Sequence, residues 1–460
     1  MARTVAPDQS QRLLYQGSLN RTILVLALPA VVENLLQTVV FFTDTVMIGW
    51  IRDPAALAAS GLAGTLFYLL LTLFGSLAVS STALVARAWG AGNERRARTV
   101  AGQAILLSVA FSALATLLLI PAAPAYLRAM GGAPDVVAQG TPYIRIIVAA
   151  SIFSFPMQVA NGIMRGAGDT RTPMWNTLMM NSWNIVVSYI FIFGVGGAPA
   201  LGLTGAGIGT ASARMVGGLL AVGALLFGRT FLHLNWRDLI TWDPSIVRRI
   251  LQLAGPAALE GSIAQSGYIF FTRMVASLGT AVLAAHQIAL RVESLSYMPA
   301  TGLAVAATTL VGQSLGAKDP ERADAAARRT LLFSLIFNGL LALTFLFFAQ
   351  QIVRIFGSTD EVLGLAALAL TIAAAELPGI GADIVISGSM RGAGDTRTPM
   401  YVTLVGVLVF RLSLVYLLAI QLGWGLAGVW WGTAMDWTGR ALLLWVLFRR
   451  GRWKVAMGEA

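Results

Sequence analysis

Apolar residues run in blocks of about 20 or more from one end of the chain to the other, with polar residues gathered in short breaks between them. The stretches 101–127, 198–227 and 331–353 show the pattern clearly. Cutting the runs at Gly, Pro and charge clusters predicts twelve membrane-spanning helices. The first six are 22–50, 62–88, 98–126, 138–164, 174–195 and 200–228. The second six are 249–277, 282–315, 323–353, 362–390, 400–421 and 425–448. The pattern predicts an all-α integral membrane protein. Its first apolar run is too long for a signal-peptide core, so it reads as a retained first helix.

The placement of charge gives these spans a direction. Of the 32 Lys and Arg, 23 fall at the termini or in the connections after even-numbered spans. Four (Arg52, Arg128, Arg273, Arg354) fall on the opposite side. Five (Arg145, Arg214, Arg291, Arg411, Arg440) lie inside spans. The positive-inside rule then expects both termini in the cytoplasm of a multi-pass protein of the inner (plasma) membrane. The net charge of +11 is therefore a topology signal, and no nucleic-acid partner is expected.

The chain also repeats itself. MRGAGDTRTPM occupies 164–174 and returns unchanged at 390–400, an offset of 226. LAVSSTALVARAWGAG (77–92) matches LAVAATTLVGQSLGAK (303–318) at the same offset, and Pro29 and Glu33 fall on Pro256 and Glu260 at 227. Six helices per copy is an even number, so both copies enter from the same side as parallel repeats, an architecture suited to alternating access around a central cleft. The expected organisation is an N-terminal six-helix lobe at 1–230, a linker at 231–247 containing HLNWRDLITWDPS, and a C-terminal lobe at 248–460. In the repeated loop, Gly166/Gly168 and Gly392/Gly394 can end one helix. Asp169 or Asp395 can cap the next, with Pro173 or Pro399 in its first turn. GAGDT lacks the lysine of a phosphate-binding P-loop, so the loop is read as a hinge.

Composition narrows the chemistry. The chain is 57% hydrophobic and 12% charged, leaving almost nothing for a soluble domain. It has no cysteine, which excludes disulfides and thiolate metal sites, and its two histidines, His233 and His286, are scattered. No cofactor is expected, and the compact catalytic constellation of a membrane-embedded enzyme is missing. Two joined lobes already supply an interface, so a monomer is expected.

With AAHQIALRVESLSYMPATGLAVAATTLVGQSLGA (284–317), the paired MRGAGDTRTP loops and PAVVENLLQTVVFFTDTVMIG (29–49) in view, the sequence resembles the multidrug and toxic compound extrusion (MATE) transporters over about residues 20 to 450. The resemblance implies export of small drugs or toxic organic cations, driven by inward flow of H⁺ or Na⁺. A flippase for a lipid-linked saccharide is the neighbouring alternative. It would need a strongly basic cleft, for which only the five intramembrane arginines are available.

Ionisable groups at bilayer depth are expensive and therefore single themselves out. Asp44, in the outer half of the first span, matches the acid that the family associates with ion coupling; its copy position is Phe271. Asn181, Asn184 and Ser188 share one face of the fifth span, and with Asn161 they offer Asp44 the neutral oxygens of a Na⁺ site. Some relatives carry a second aspartate where this chain has Ser188, which leaves Asp44 as a lone proton carrier or a Na⁺ ligand among neutral groups. Glu260 matches the helix-7 acid of a second-half cation site, the other place for Na⁺. It is equally readable as half of a structural clasp shared with Glu33. An aspartate that many relatives place at position 380 is Ile380 here, so Asp383 and Glu376 are the relocated candidates. Arg411 is expected to pair with Asp383, Glu376 or Glu260. Met157, Met180, Trp183, Glu33, His286, Gln287 and Arg411 are the candidate cleft residues.

Overall fold

The computed structural model describes residues 18–228 and 230–455. The expected cytoplasmic placement of the two chain ends, and of Arg3, Arg12 and Arg229, concerns residues outside those described. Helices follow one another with short joints: α1 (Leu19–Trp50), α2 (Pro54–Gly90), α3 (Glu94–Ala129), α4 (Pro134–Ala149), α5 (Ser151–Gly166), α6 (Arg171–Phe193) and α7 (Leu203–Leu226). After the short α8 (Trp236–Ile240) come α9 (Pro244–Ala276), α10 (Thr280–Glu293), α11 (Tyr297–Gly316), α12 (Pro320–Arg354), α13 (Asp360–Ala373), α14 (Leu377–Gly392), α15 (Arg397–Gln421) and α16 (Gly425–Arg449). Among the described residues, seven helical stretches are long and apolar enough to cross a membrane, and two bent pairs raise the number to nine. The protein is an all-α, multi-pass membrane protein.

Three of the predicted spans are broken, and the breaks have one cause. A proline removes the hydrogen bond to the carbonyl four residues earlier and pushes that carbonyl aside. Pro378 disrupts the chain at Ala374, where α13 ends and the pair α13–α14 bends by 51°. Pro299 acts at Leu295, within the 3₁₀ turn Ser294–Ser296 that separates α10 from α11. Pro156 acts at Ile152, next to the 43° bend between α4 and α5. α15 contains two π-helical stretches, Gly406–Leu412 and Tyr416–Gln421.

The described chain divides into two compact units. One is Val32–Gln252; the other combines the described residues of Gln16–Val31 with those of Leu253–Ala460. Both boundaries fall inside a helix, α1 or α9, within a turn of Pro29 or Pro256. The segment after α7 stays with the first unit: Gln103 Nε2 donates to the Thr241 carbonyl, and the Asp243 N–H donates back to Gln103 Oε1 at 3.2 Å.

Each unit is tied together by the same bonds at repeat-related positions. Thr82 Oγ1 donates to the Gly162 carbonyl at 2.8 Å, and Thr308 Oγ1 donates to the Gly388 carbonyl at 2.8 Å. The repeated loop turns through Gly168 (φ +97°) and Gly394 (φ +87°), positions that favour glycine. Asp169 then accepts from the Thr172 N–H at 3.0 Å and hydroxyl at 2.6 Å, as Asp395 does from Thr398 at 2.9 and 2.6 Å. The loop is a helix end followed by a cap, as the sequence predicts. Outside the spans, Asp53 caps α2, and hydrogen bonds from the Gln139 side chain and the Ala55 N–H hold its carboxyl below the usual range.

Candidate functional site

In the first unit, three helices converge on one carboxylate. Asn184 of α6 donates through Nδ2 to Thr210 Oγ1 of α7 at 3.3 Å, and the Thr210 hydroxyl donates to Asp44 Oδ2 of α1 at 3.3 Å. The other carboxylate oxygen, Asp44 Oδ1, is buried without a partner, as are Asn184 Oδ1, Asn181 Oδ1 and Ser188 Oγ. Gly209, beside Thr210, lets α7 approach so closely that a Cβ there would strike Ser188 Oγ. Small residues at such crossings are what allow transmembrane helices to close on each other. Arg214, one turn beyond Thr210, and Tyr143 of α4 both interact electrostatically with Asp44. The Arg214 guanidinium lies 3.7 Å over the Phe67 ring and donates to Ser154 Oγ at 3.3 Å.

The sequence-predicted residues do not all gather there. Asn181 turns its amide to the Leu36 carbonyl at 2.7 Å. Asn161 lies instead with Glu33, donating to Oε1 at 3.5 Å. Met157 and Met180 meet over Gly217 of α7, where a Cβ would lie 2.7 and 3.0 Å from their sulfurs. Trp183 is 48% exposed and donates to Ser212 Oγ at 3.3 Å, on a different face from Asn184. Thr210 and Tyr143 had not been singled out. A threonine in GLTGAGIGT reads as helix packing, and nothing in its spacing points to an acid on another helix.

Glu33 and Glu260 behave as copies. Arg165 Nη1 reaches both Glu33 oxygens, at 3.2 and 3.1 Å. Arg391 Nη2 donates to Glu260 Oε1 at 2.6 Å, and Thr403 adds a bond at 3.2 Å. Both arginines come from the repeated loop, so each glutamate clasps the joint of its own unit.

The second unit holds a further buried cluster. Arg411 pairs with Asp436 Oδ2 at 2.7 Å, rather than with Asp383, Glu376 or Glu260, and Arg440 reaches the same oxygen at 2.7 Å. The correction has a geometric cause, since Asp436 and Arg440 are one turn apart on α16 and Arg411 faces them from α15. Glu376, fully buried at the break before α14, has neither oxygen in a hydrogen bond. It interacts electrostatically with Glu293, which accepts from the Tyr297 hydroxyl at 3.1 Å. Asp383 is buried near Arg440 and Asp436. His286 sits between the edges of Phe271 and Trp430 at 5.3 and 5.5 Å, both ring nitrogens unpartnered, with Gln287 half-buried beside it.

Buried acids set among amides, hydroxyls and guanidiniums in a multi-pass helical protein define a membrane carrier of small solutes, not an enzyme. The MatE family model matches residues 29–190 and 256–417, one copy in each half, and the chain belongs to this family of multidrug and toxic compound extrusion transporters. It is 30% identical over 438 residues, covering 95% of this chain and 93% of the relative, to a probable multidrug resistance protein NorM of Thermotoga maritima. It is 24% identical over 92% of its length, and 93% of the relative's, to an uncharacterized transporter, YisQ, of Bacillus subtilis. A crystal structure of a MATE transporter in complex with MaD3S superposes with a TM-score of 0.89 at 25% identity, covering 96% of this chain and 98% of that one. The protein is a secondary-active efflux transporter that works by alternating access.

Proposed function

We propose that the transporter exports amphipathic organic cations in exchange for protons, with Asp44 as the coupling carboxylate. The observation that carries this is the free oxygen of Asp44, buried at the end of the Asn184–Thr210–Asp44 chain. A proton needs one basic oxygen; a bound Na⁺ needs several, and beside Asp44 the unpartnered oxygens are those of neutral side chains, Asn184, Asn181 and Ser188, with Ser188 at the position where a second acid would help. The nearby Arg214 charge also disfavours a second cation beside it. Na⁺ with neutral ligands remains the competing coupling ion that the test separates. One charge moved through 100 mV is worth about 2.3 kcal/mol, enough for one ion per cycle to sustain a useful gradient.

The lipid-linked saccharide alternative finds little support in the arginines. Arg411 and Arg440 are both committed to Asp436, Arg214 to Phe67 and Ser154, and Arg145 to the Ile120 carbonyl. The twelve-span reading gains support from α6, α9 and α16. These helices are long enough to span, at 23, 33 and 25 residues, and polar side chains such as Asn181, Asn184, Gln252, Glu260, Gln265, Asp436 and Arg440 lower their apolarity. Adding them to the nine gives twelve, in two six-helix lobes, with cytoplasmic termini and a monomeric state completing the proposal.

Ethidium movement in proteoliposomes under separately imposed pH and Na⁺ gradients tests the reading. Movement should follow the pH gradient and disappear in folded Asp44→Asn. Normal coupled transport by that variant would sink the assignment, and movement driven by Na⁺ alone would replace the proton.

A further inference from the structure

The strap that leads from α7 to α9, residues 230–243, is fixed in place yet turned inside out. Leu232 and Leu234 are buried, and the Leu234 N–H donates to the Leu225 carbonyl of α7 at 2.8 Å. α8 packs on α3, where Gly102 lets the Asp238 carbonyl approach so closely that a Cβ would strike it. From the next position of α3, the buried Gln103 amide holds Thr241 and Asp243. A segment tied down at so many points ordinarily buries its largest side chains. This one does the reverse: Trp236, Ile240 and Trp242 are 66, 77 and 57% exposed. Trp236 and Ile240, four residues apart, share one face of α8, and Asp238 lies on the other, toward α3. The charges are sorted in the same way. The strap's two acids are turned to its own backbone and neighbours: Asp238 accepts from the Asn235 N–H at 2.9 Å, and Asp243 from the Ser245 N–H at 2.9 Å and hydroxyl at 2.6 Å. Arg237 of α8 and Arg248 of α9 are exposed, as are Arg95 and Arg96 at the start of α3. Arg96 stands seven residues before Gln103, hence on the same face of α3 and about 10 Å further along it.

We propose that the strap is a docking surface for anionic phospholipid. Trp236, Ile240 and Trp242 enter the boundary between headgroups and acyl chains, and Arg95, Arg96, Arg237 and Arg248 hold the phosphate-bearing headgroups. Depth supports this placement. The apolar run of α3 begins at Ala101, so the strap meets α3 where that run begins, and Arg95 and Arg96 lie in the polar stretch before it. One headgroup layer is about 5–8 Å deep, comparable with the rise from Gln103 to Arg96. Two tryptophans and an isoleucine facing water would be costly, whereas a bilayer boundary gives their rings an apolar side and their indole N–H groups a polar one. The arginines choose among lipids. Each basic side chain near an anionic surface strengthens the attraction by roughly fivefold, so four of them favour an anionic headgroup over a zwitterionic one. The apolar face adds an attraction that headgroup charge does not change. Because α9 begins at Pro244, next to Asp243, lipid held by the strap also bears on the first turn of that helix.

The chain has no cysteine, so a single Ile240→Cys substitution can carry an environment-sensitive nitrobenzoxadiazole label on the strap. The labelled protein is placed in nanodiscs of phosphatidylcholine alone, or of phosphatidylcholine and phosphatidylglycerol in equal parts. With phosphatidylglycerol, the emission should shift to the blue, and a lipid spin-labelled near its headgroup should quench it more than one labelled at the chain end. Arg237→Gln combined with Arg248→Gln should raise the phosphatidylglycerol fraction at half-shift several-fold. Trp236→Ser combined with Trp242→Ser should weaken the quenching in both lipids. All four side chains are exposed, and the unfolding midpoint in detergent shows whether each variant is folded. Inorganic phosphate added to the detergent-solubilised protein should leave the label unchanged, since a free anion does not cover an apolar face. Water-like emission without quenching would overturn the proposal. A blue shift that neither lipid quencher reaches would overturn it too, because the cover would then be protein, such as a second copy of the chain. An equal response with and without phosphatidylglycerol would overturn the anionic preference.

Discussion

Asp436 Oδ2 accepts a hydrogen bond from Arg440 Nη2 and forms an ion pair with Arg411 Nε, and that fact decides what its loss would do. Asp436 is fully buried, and Arg440 and Arg411 are largely so. Both arginines also lie against the Trp437 ring, at 4.0 and 5.1 Å, which holds them in place. An asparagine at 436 would leave two like charges facing each other without the acid that they share, with Asp383 the remaining carboxylate near Arg440. Breaking such a buried arrangement costs about 3–5 kcal/mol. Asp436→Asn should therefore lower the thermal unfolding midpoint in detergent sharply, and an unfolding midpoint equal to the wild type's would refute the pairing. The sequence marked Arg411, Arg440 and several acids as charges inside the spans, because each is costly inside a bilayer. It did not mark which acid meets which arginine: Asp383, Glu376 and Glu260 were the partners offered to Arg411, and Asp436 was not among them. Partner choice depends on how α15 and α16 cross, and periodicity along one helix carries no information about that. Asp44 was legible for the opposite reason: an acid beside two phenylalanines in a span needs a purpose whatever its partners are.

At the scale of the element, the joints were more legible than the breaks. The duplicated MRGAGDTRTPM announced a helix end, a left-handed glycine and a cap, and each was found twice. The interruptions at Ala374, Ser294–Ser296 and Ala150 were missed because apolar character runs through them undiminished. What is lost there is a backbone hydrogen bond, which hydropathy does not register; the downstream prolines were the available signal. Close helix crossings pose a similar problem, since a glycine in a span looks dispensable. Gly388 is not: a Cβ on it would lie 2.9 Å from both the Ala304 Cβ and its carbonyl oxygen, at the crossing that brings Thr308 Oγ1 to the Gly388 carbonyl. Backbone atoms cannot move aside as a flexible side chain would. Gly388→Ala should destabilise the second unit by about 1–3 kcal/mol through overpacking. A variant as heat-stable as the wild type would show that the crossing has room to spare.

Over the whole molecule, duplication separates what is structural from what is functional. A feature that both copies keep, in the same geometry, answers a need common to both units. The Thr82 and Thr308 bonds meet that description; the Glu33–Arg165 and Glu260–Arg391 clasps keep the ion pair, but Glu33 engages through both oxygens while Glu260 engages through Oε1 alone and leaves Oε2 buried without a partner. A feature that one copy has and the other lacks serves something the whole cycle needs once. The position equivalent to Asp44 in the second copy is Phe271, and the position equivalent to Asn184 is Arg411. On this argument we propose a structural duty for Glu260 at its joint, beside the ion-binding role that the family resemblance implies. The argument makes a quantitative prediction. Glu33→Gln and Glu260→Gln should each destabilise by about 1–3 kcal/mol, because a partly buried arginine loses its counter-ion. The two clasps share no partner, so the double variant should lose the sum of the single losses to within about 0.5 kcal/mol. Chemical unfolding of the two single variants and the double variant measures this directly. In single variants that remain folded, proton-coupled transport should persist, in contrast to Asp44→Asn. A stable Glu260→Gln protein that transports nothing would reverse the assignment and return Glu260 to the ion pathway, because a residue needed only to hold a joint cannot silence a joint that is intact.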